Sequence, residues 1–485
     1  MKEVFKILAF KIIFCISFII NLFILFIIIP FGKKRPEKTL SWILVLMILP
    51  PIGLILFIFL GRNWKINTLD RKVKEQIFNL TNFASIEKNE ILNEYKQIIK
   101  LLASNSYSPL FLNNKVTILD GGVQKFDILK EKMLEATDHI HLEYYIVKDD
   151  KIGNEIKDIL IKKAKDGIKV RFVIDRVGSI KLSKKYIKDL KKAGVDIAFY
   201  SYVLAPLLRL INTQINYRNH RKIVIIDGKY AFIGGINIGD EYLGLGKLGD
   251  WKDCHIMIEG DCVLGLQSVF LDDFSIIKKY NNEEISVLNN IENYFKTHIC
   301  NDKIPMQLIR SGPDSEYPSI LQLLIKMISM AKESINIITP YFIPSEGLMD
   351  ALRIASLSGV DISLIFPEKA DHFAVNRASQ TYLAELQRTG AKIYLYTKNA
   401  FIHSKLITID NKICTIGTAN MDIRSFELNY EINTIIYNKD ITKNFNKIFN
   451  KLINQCRIFS YAEYENRNLL NKLIDGFSRL LSSIL

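Results

Sequence analysis

The chain has 485 residues, 49% of them hydrophobic, and a formal net charge of +14 at pH 7. That length excludes a single ordinary domain and suits two fused halves. Six cysteines without CxxC or any other ligand spacing exclude a disulfide scaffold and a cysteine-rich metal module.

In chain order, the first feature is a pair of uncharged apolar runs, Ile12–Pro30 and Leu40–Leu60. Each is about 20 residues, enough to cross a hydrocarbon core of roughly 30 Å as helix. The expected unit is a transmembrane helical hairpin over residues 1–62, with spans near 9–30 and 40–60. A cleaved signal peptide does not fit the run length, the missing small-residue cleavage site or the second run close behind. Pro50-Pro51 should kink the second span. Lys2, Lys6, Arg62, Lys65, Arg71, Lys72 and Lys74 flank the hairpin and outnumber Lys33, Lys34, Arg35 and Lys38 in its loop. This asymmetry places both ends, and the long body after them, on the cytoplasmic side of a cell membrane. The positive charge then reads as attraction to lipid headgroups, worth about 1 kcal/mol per basic residue near anionic lipid. No aromatic–basic stripe of the kind that stacks bases is present, so nucleic acid is not the expected partner.

A polar linker over 63–104 leads into a body that repeats itself. Ile140-His-Leu-Glu-Tyr-Tyr145 resembles Ile335-Asn-Ile-Ile-Thr-Pro-Tyr341, and Gly167-Ile-Lys-Val-Arg-Phe-Val-Ile-Asp resembles Gly359-Val-Asp-Ile-Ser-Leu-Ile-Phe-Pro. Two copies mean a duplication rather than a solenoid. The halves run over 105–280 and 305–460, with a charged joint over 281–304. Helical stretches alternate with short apolar strands that follow glycines, which predicts an α/β sandwich in each half. In the tail, 461–485, Leu469, Leu470, Leu473, Ile474, Phe477, Leu480, Leu481 and Ile484 recur at helical spacing. They predict an amphipathic helix packed on the body, with a membrane-surface helix as the alternative.

The chemistry lies in a repeated frame. His220-Arg-Lys222-Ile-Val-Ile-Ile-Asp227 returns as His403-Ser-Lys405-Leu-Ile-Thr-Ile-Asp410, in a chain with only seven histidines. Gly234 and Asn237 follow the first copy as Gly417 and Asn420 follow the second. Along a strand, residues two apart share a face and residues seven apart do not. His220, Lys222, His403 and Lys405 therefore belong to the reaction centre, and Asp227 and Asp410 complete the motif by holding loops at the strand ends. A phosphodiester repels nucleophiles through its shared negative charge. Lys222 and Lys405 can neutralise that charge, and Asn237 and Asn420 can donate hydrogen bonds to the phosphate. A neutral imidazole can attack phosphorus, and a protonated one opposite can serve the leaving alkoxide. Each imidazole needs an orienting acceptor on its other nitrogen. The equivalent strands Trp251-Lys-Asp253-Cys-His-Ile and Asn429-Tyr-Glu431-Ile-Asn-Thr offer Asp253 and Glu431 for that task. Lysine at the second position is a poor metal ligand, so neither a metal nor another cofactor is expected. His139, His141, His255, His298 and His372 read as structural or exposed, although His141 and Glu143 stand on one strand with Tyr145 and could approach the pocket.

The double frame resembles the phospholipase D superfamily. Tyr217-Arg-Asn-His-Arg-Lys-Ile-Val-Ile-Ile-Asp, Gly234-Gly-Ile-Asn-Ile-Gly-Asp-Glu-Tyr and Gly417-Thr-Ala-Asn-Met-Asp-Ile-Arg-Ser-Phe-Glu narrow the resemblance to bacterial cardiolipin synthases, and it extends over nearly the whole chain. The resemblance implies two phospholipase D-like halves facing one active site. It implies a multi-pass protein of the bacterial plasma membrane that converts two phosphatidylglycerols into cardiolipin and glycerol without a metal. It also implies a phosphatidyl-histidine intermediate, with His220 as nucleophile and His403 as acid and base. A membrane-bound phospholipase D that uses water, or a transferase with another alcohol acceptor, would employ the same residues. Two intact frames argue against a catalytically dead scaffold.

Overall fold

The computed structural model describes residues 2–31, 36–57, 89–200, 217–281, 283, 291–296, 298–397 and 399–483. They fall into two compact units, one within 1–66 and 201–217, the other within 67–200 and 218–485.

In the first unit a 30-residue helix, Lys2–Phe31, is followed by helices Pro36–Ile48 and Pro50–Leu56. The break falls at Pro50, which has no N–H for the Leu46 carbonyl four residues back. Asn21, fully buried in the apolar first helix, donates its side-chain N–H to that carbonyl (2.8 Å) and to the Pro50 carbonyl (2.9 Å). A polar residue inside an apolar helix thus satisfies the backbone groups that the proline leaves open. Among the described residues, no helix is long and apolar enough to cross a membrane. The second expected span is instead two pieces of 13 and 7 residues, because Pro50-Pro51 interrupts the helix rather than kinking it. Lys33, Lys34, Arg35, Arg62, Lys65, Arg71, Lys72 and Lys74, with residues 58–88 of the second run and linker, lie outside the described residues.

The second unit holds the repeated body. Its first half supplies β1 (Asn114–Asp120), β2 (His139–Tyr144), β3 (Lys169–Asp175), β4 (Asp196–Tyr200), β5 (Arg218–Asn219), β6 (Ile223–Ile226), β7 (Tyr230–Gly234), β8 (Asp250–Lys252) and β9 (Cys254–Gly260). Its second half supplies β10 (Met306–Ser311), β11 (Ser334–Ile338), β12 (Phe342–Ile343), β13 (Asp361–Pro367), β14 (Lys392–Tyr396), β15 (Ala400–Ile402), β16 (Leu406–Ile409), β17 (Ile413–Gly417), β18 (Met421–Asp422), β19 (Asn429–Ile436) and β20 (Cys456–Ile458). The first sheet has the order β1-β9-β7-β6-β2-β3-β4 and the second β10-β19-β17-β16-β11-β13-β14-β20. Strand for strand this is one topology used twice, with β20 added antiparallel to β14 at the edge. The parallel strands follow helices that terminate near glycines with left-handed backbone, Gly167 (φ 86°) and Gly359 (φ 93°). Helices cover the sheets, so strands such as β13 are buried on both faces and read as near-continuous apolar runs.

Two short strands cross between the halves. β5 of the first half pairs in parallel with β19 of the second, and β15 of the second pairs in parallel with β8 of the first. The tail helix Leu469–Leu480 packs on the helix Phe373–Gln387. It does so through its polar side: Asp475 pairs with Arg377 (2.7 Å) and Arg479 with Glu385 (2.8 Å).

Asp227 and Asp410 occupy equivalent turns with left-handed backbone (φ 55° and 52°). Asp227 accepts from the backbone N–H groups of Thr137, Asp138 and His139, and Asp410 from those of Lys332, Glu333 and Ser334, all within 2.8–2.9 Å. Each carboxylate pins the segment that leads into its half's central strand, β2 or β11. Asp410→Ala strands three N–H groups and puts a side chain with no polar compensation at positive φ. On the scale of about 1 kcal/mol or more per charge-assisted bond, the detergent-solubilised chain should lose roughly 5–10 °C in unfolding temperature. Asp410→Asn keeps one acceptor oxygen and tolerates the backbone, so it should fall between the two.

Candidate active site

His220 and Lys222 lie on the extended segment that joins β5 to β6, and His403 and Lys405 on the one that joins β15 to β16. Each segment begins on the other half's strand and ends in its own sheet. The crossing is sealed by the histidine backbone: His220 N–H donates to the Tyr430 carbonyl (3.0 Å) and His403 N–H to the Lys252 carbonyl (2.7 Å). All four side chains are buried, with His220 8% and His403 6% exposed.

That crossing decides which carboxylate meets which imidazole. Nδ1 of His220 is 2.8 and 3.0 Å from the Glu431 carboxylate oxygens, and Nδ1 of His403 is 2.7 Å from Asp253 Oδ2. The sequence points to both carboxylates but not to the exchange: each histidine is oriented by the opposite half. A carboxylate on Nδ1 fixes the proton there and leaves Nε2 with its lone pair. The two sockets differ. A methyl group on Gly235 would lie 2.3 Å from Asp253 Oδ2, so glycine is what admits the shorter carboxylate. The equivalent residue, Thr418, donates its hydroxyl to Glu431 (2.5 Å), and Asn429 donates to the same carboxylate (3.1 Å). Arg221 reaches the Glu431 carbonyl (3.4 Å) and pairs with Asp273. Sequence reasoning missed Gly235, Thr418, Asn429 and Arg221. The Gly/Thr difference directly after the matched Gly234 and Gly417 is the signal that was available.

Lys222 donates to the His220 carbonyl (2.6 Å), and Lys405 to the His403 carbonyl, with its ammonium 2.9 Å from His403 Nδ1. Burial pushes the Lys222 ammonium down to about 7 and the Lys405 ammonium down to about 8, with carboxylates of both halves acting in the opposite sense. Burial also pushes His220 down to about 4, partly offset by Glu431, and holds His403 well below the usual imidazole range. Lys405 adds to the depression at His220, and Lys222 and His220 add to it at His403. Each half's cations thus act on the other half's imidazole, as groups around one centre do. Asp253 is pushed up to about 7 by burial. An arriving phosphodiester anion would reverse the displacements of the lysines and imidazoles by pairing with the ammonium groups.

The two asparagines are placed differently. Asn237 accepts from Ile146 N–H (3.1 Å) and donates one amide hydrogen to Tyr242 Oη (3.1 Å), which leaves it a single N–H for a phosphate. Asn420 is buried, and its Oδ1 has no partner among the described residues. The Tyr145 ring stands edge-on to His220 at 4.9 Å, and Trp251 and Tyr242 lie 5.2 and 6.0 Å from His403. Tyr341, the equivalent of Tyr145, donates to Asp371, whose charge acts on Lys405. His141 is tied to Gln267 (2.9 Å) and Arg171 (3.0 Å) in a buried chain. Glu143 holds Asn219 (2.5 Å), the residue before His220. His255 is wholly buried. Among the described residues no group of three or more His, Cys, Asp or Glu side chains is placed to hold a metal ion.

A duplicated α/β body that brings two imidazoles and two ammonium groups to one buried centre defines an enzyme of the phospholipase D type. The family profile described as "Cardiolipin synthase, PLD-like domain" matches residues 129–247 and 324–453, and the "Phospholipase_D-nuclease N-terminal" profile matches 19–62. The major cardiolipin synthase ClsA of Bacillus subtilis (strain 168) is 40% identical, over 98% of this chain and 99% of its own. The cardiolipin synthase of Halalkalibacterium halodurans is also 40% identical, over 97% of this chain and 93% of its own. The crystal structure of phosphatidylserine synthase from Haemophilus influenzae Rd KW20 shares the fold, with TM-score 0.60 and 14% identity, covering 82% of this chain and 100% of that one. The chain belongs to the cardiolipin synthase family.

Two outcomes follow from the geometry. Glu431→Gln or Asp253→Asn keeps the shape but loses the acceptor that fixes the Nδ1 proton. Each should cut kcat by about 10²–10⁴-fold with little change in KM, read in a steady-state lipid assay. The second concerns pH. Both lysines are cationic below about 7 and lose their protons as pH rises through about 7 and about 8. The kcat/KM profile, which reports the free enzyme, should therefore fall across that window. In kcat the alkaline limb should lie higher, because bound phosphodiester retains the protons.

Proposed function

We propose that the protein transfers a phosphatidyl group from one phosphatidylglycerol to another, giving cardiolipin and glycerol, through a covalent phosphatidyl-histidine. The cross-half pairs His220–Glu431 and His403–Asp253 carry this reading. With Nδ1–H given to Glu431, His220 Nε2 attacks the phosphorus. The bond to the glycerol headgroup breaks, and the departing alkoxide takes the Nε2 proton of His403, which enters the step as an imidazolium stabilised by the bound phosphodiester anion. The positive charge gained by the phosphorylated ring is balanced by Glu431, itself held by Thr418 and Asn429. Burial and the charges of Lys405 and Lys222 weaken the hold of His403 on that Nε2 proton and suit it to donation. Once neutral, it accepts the proton of a glycerol hydroxyl on the second phosphatidylglycerol. That oxygen attacks the phosphorus and releases His220. Lys222, Lys405, Asn237 and Asn420 neutralise and hold the non-bridging oxygens, where preorganised donors have most effect. Asp227 and Asp410 act by fixing the turns behind the frames.

The substrate is anionic lipid, and the N-terminal helices sit in the bacterial plasma membrane as a hairpin with the body on the cytoplasmic side. Support comes from the outward-facing apolar side chains of the first unit, such as Phe5, Ile12, Ile19, Phe23 and Phe26, and from the flanking cations.

The test is the full chain in phosphatidylglycerol micelles with EDTA present. Cardiolipin and free glycerol should form in equal amounts, and His220→Ala and His403→Ala should each abolish them. His403→Ala should accumulate labelled lipid on the protein, stable to alkali. Phosphatidic acid as the sole product would convert the reading to a hydrolase, and activity lost in EDTA and restored by Zn²⁺ or Mg²⁺ would remove the metal-free mechanism.

A further inference from the structure

The tail helix Leu469–Leu480 is inside out for a water-facing element. Leu469, Leu470, Leu473, Phe477 and Leu480 are between 62% and 78% exposed. At 100° per residue they fall on one stripe, roughly 17 Å long. The opposite side, which meets the body, is polar. Asp475 and Ser478 are buried there. Asp475 pairs with Arg377 and Arg467, Arg377 donates to the Asn471 side chain (2.8 Å), and Arg479 pairs with Glu385. Ordinary surface helices bury the apolar face and expose the polar one. Here ion pairs hold the helix, and the apolar face is left uncovered.

We propose that this stripe docks the catalytic body onto an anionic phospholipid bilayer, lying at the boundary between headgroups and acyl chains. Three observations choose lipid as the occupant. Exposed Lys472, 3.3 Å from Glu465, flanks the stripe where a cation meets anionic headgroups while the apolar side chains enter the acyl layer. The supporting helix Phe373–Gln387 begins two residues after Asp371, the carboxylate that receives Tyr341 and acts on Lys405. Its first residue, Phe373, is 68% exposed. Arg377, one turn further on, grips the tail helix, so the stripe is anchored close to the reaction centre. A single helical stripe is also small for a stable dimer contact. The docking goes beyond the proposed chemistry but rests on it for taking lipid as the partner.

The experiment uses the full chain reconstituted in phosphatidylglycerol vesicles. A photoreactive benzoyl-phenylalanine is placed at Phe477, at Leu473 or, as control, at exposed Lys188. After irradiation, lipid adducts at 477 and 473 should exceed those at 188 by about tenfold or more. Adducts no more frequent than at Lys188, or adducts to a second copy of the chain, overturn the proposal. In addition, Leu470→Glu with Phe477→Glu should lower turnover on long-chain vesicles by about tenfold while turnover of dissolved short-chain phosphatidylglycerol is kept. Undiminished vesicle turnover, or equal loss on both substrates, also overturns it. Lipid adducts at 473 and 477, together with a wild-type chain that makes no cardiolipin, would remove the functional reading and leave the docking in place.

Discussion

Everything in the site depends on two hydrogen bonds that run between halves: His220 to Glu431 and His403 to Asp253. An imidazole is useful to phosphorus chemistry only when its tautomer and direction are fixed. In this chain neither half carries the means to fix its own. The backbone makes the exchange obligatory, because β5 and β15 each extend the partner's structure before the histidine turns back into its own sheet. A half on its own would keep its core and sheet but hold a free imidazole beside an unclaimed carboxylate.

Burial is what makes the arrangement reactive. Two ammonium groups and two imidazoles share a space with little water, and all four hold protons less firmly than in solution. Such a centre is poorly compensated until an anion enters it. An anion such as a phosphodiester would balance that charge, and the low-water surroundings would strengthen each contact made to it. The aromatic walls, Tyr145 on one side and Trp251 with Tyr242 on the other, keep the imidazoles apart from bulk solvent.

Much of this was legible in the sequence because it is periodic. The repeated frame, the alternation that separates Asp227 from His220, and the equivalence of Asp253 with Glu431 all follow from comparing one half with the other. What was not legible depends on contacts between distant segments. Nothing local in Arg218-Asn219 or Ala400–Ile402 says that they pair across the halves. That Asn237 gives one of its two amide hydrogens to Tyr242 is likewise invisible in the sequence. Pro50-Pro51 announces a kink, but that the helix breaks there and Asn21 satisfies the freed carbonyl needs the packed helices. The tail shows the limit of pattern reading most clearly: apolar spacing gives the helix, and only the ion pairs of Arg377 and Glu385 tell which side faces in.

The unequal sockets have a consequence for the repeat itself. Around Asp253 the space is set by a glycine; around Glu431 it is set by a threonine that also donates a hydrogen bond. The halves share an ancestry and a topology, yet they can no longer stand in for each other, since a longer acid would collide on one side and a shorter one would lose its hydroxyl on the other. One methylene and one hydroxyl thus leave the two imidazole sockets of a repeated fold unequal, so that neither acid fits the other's place.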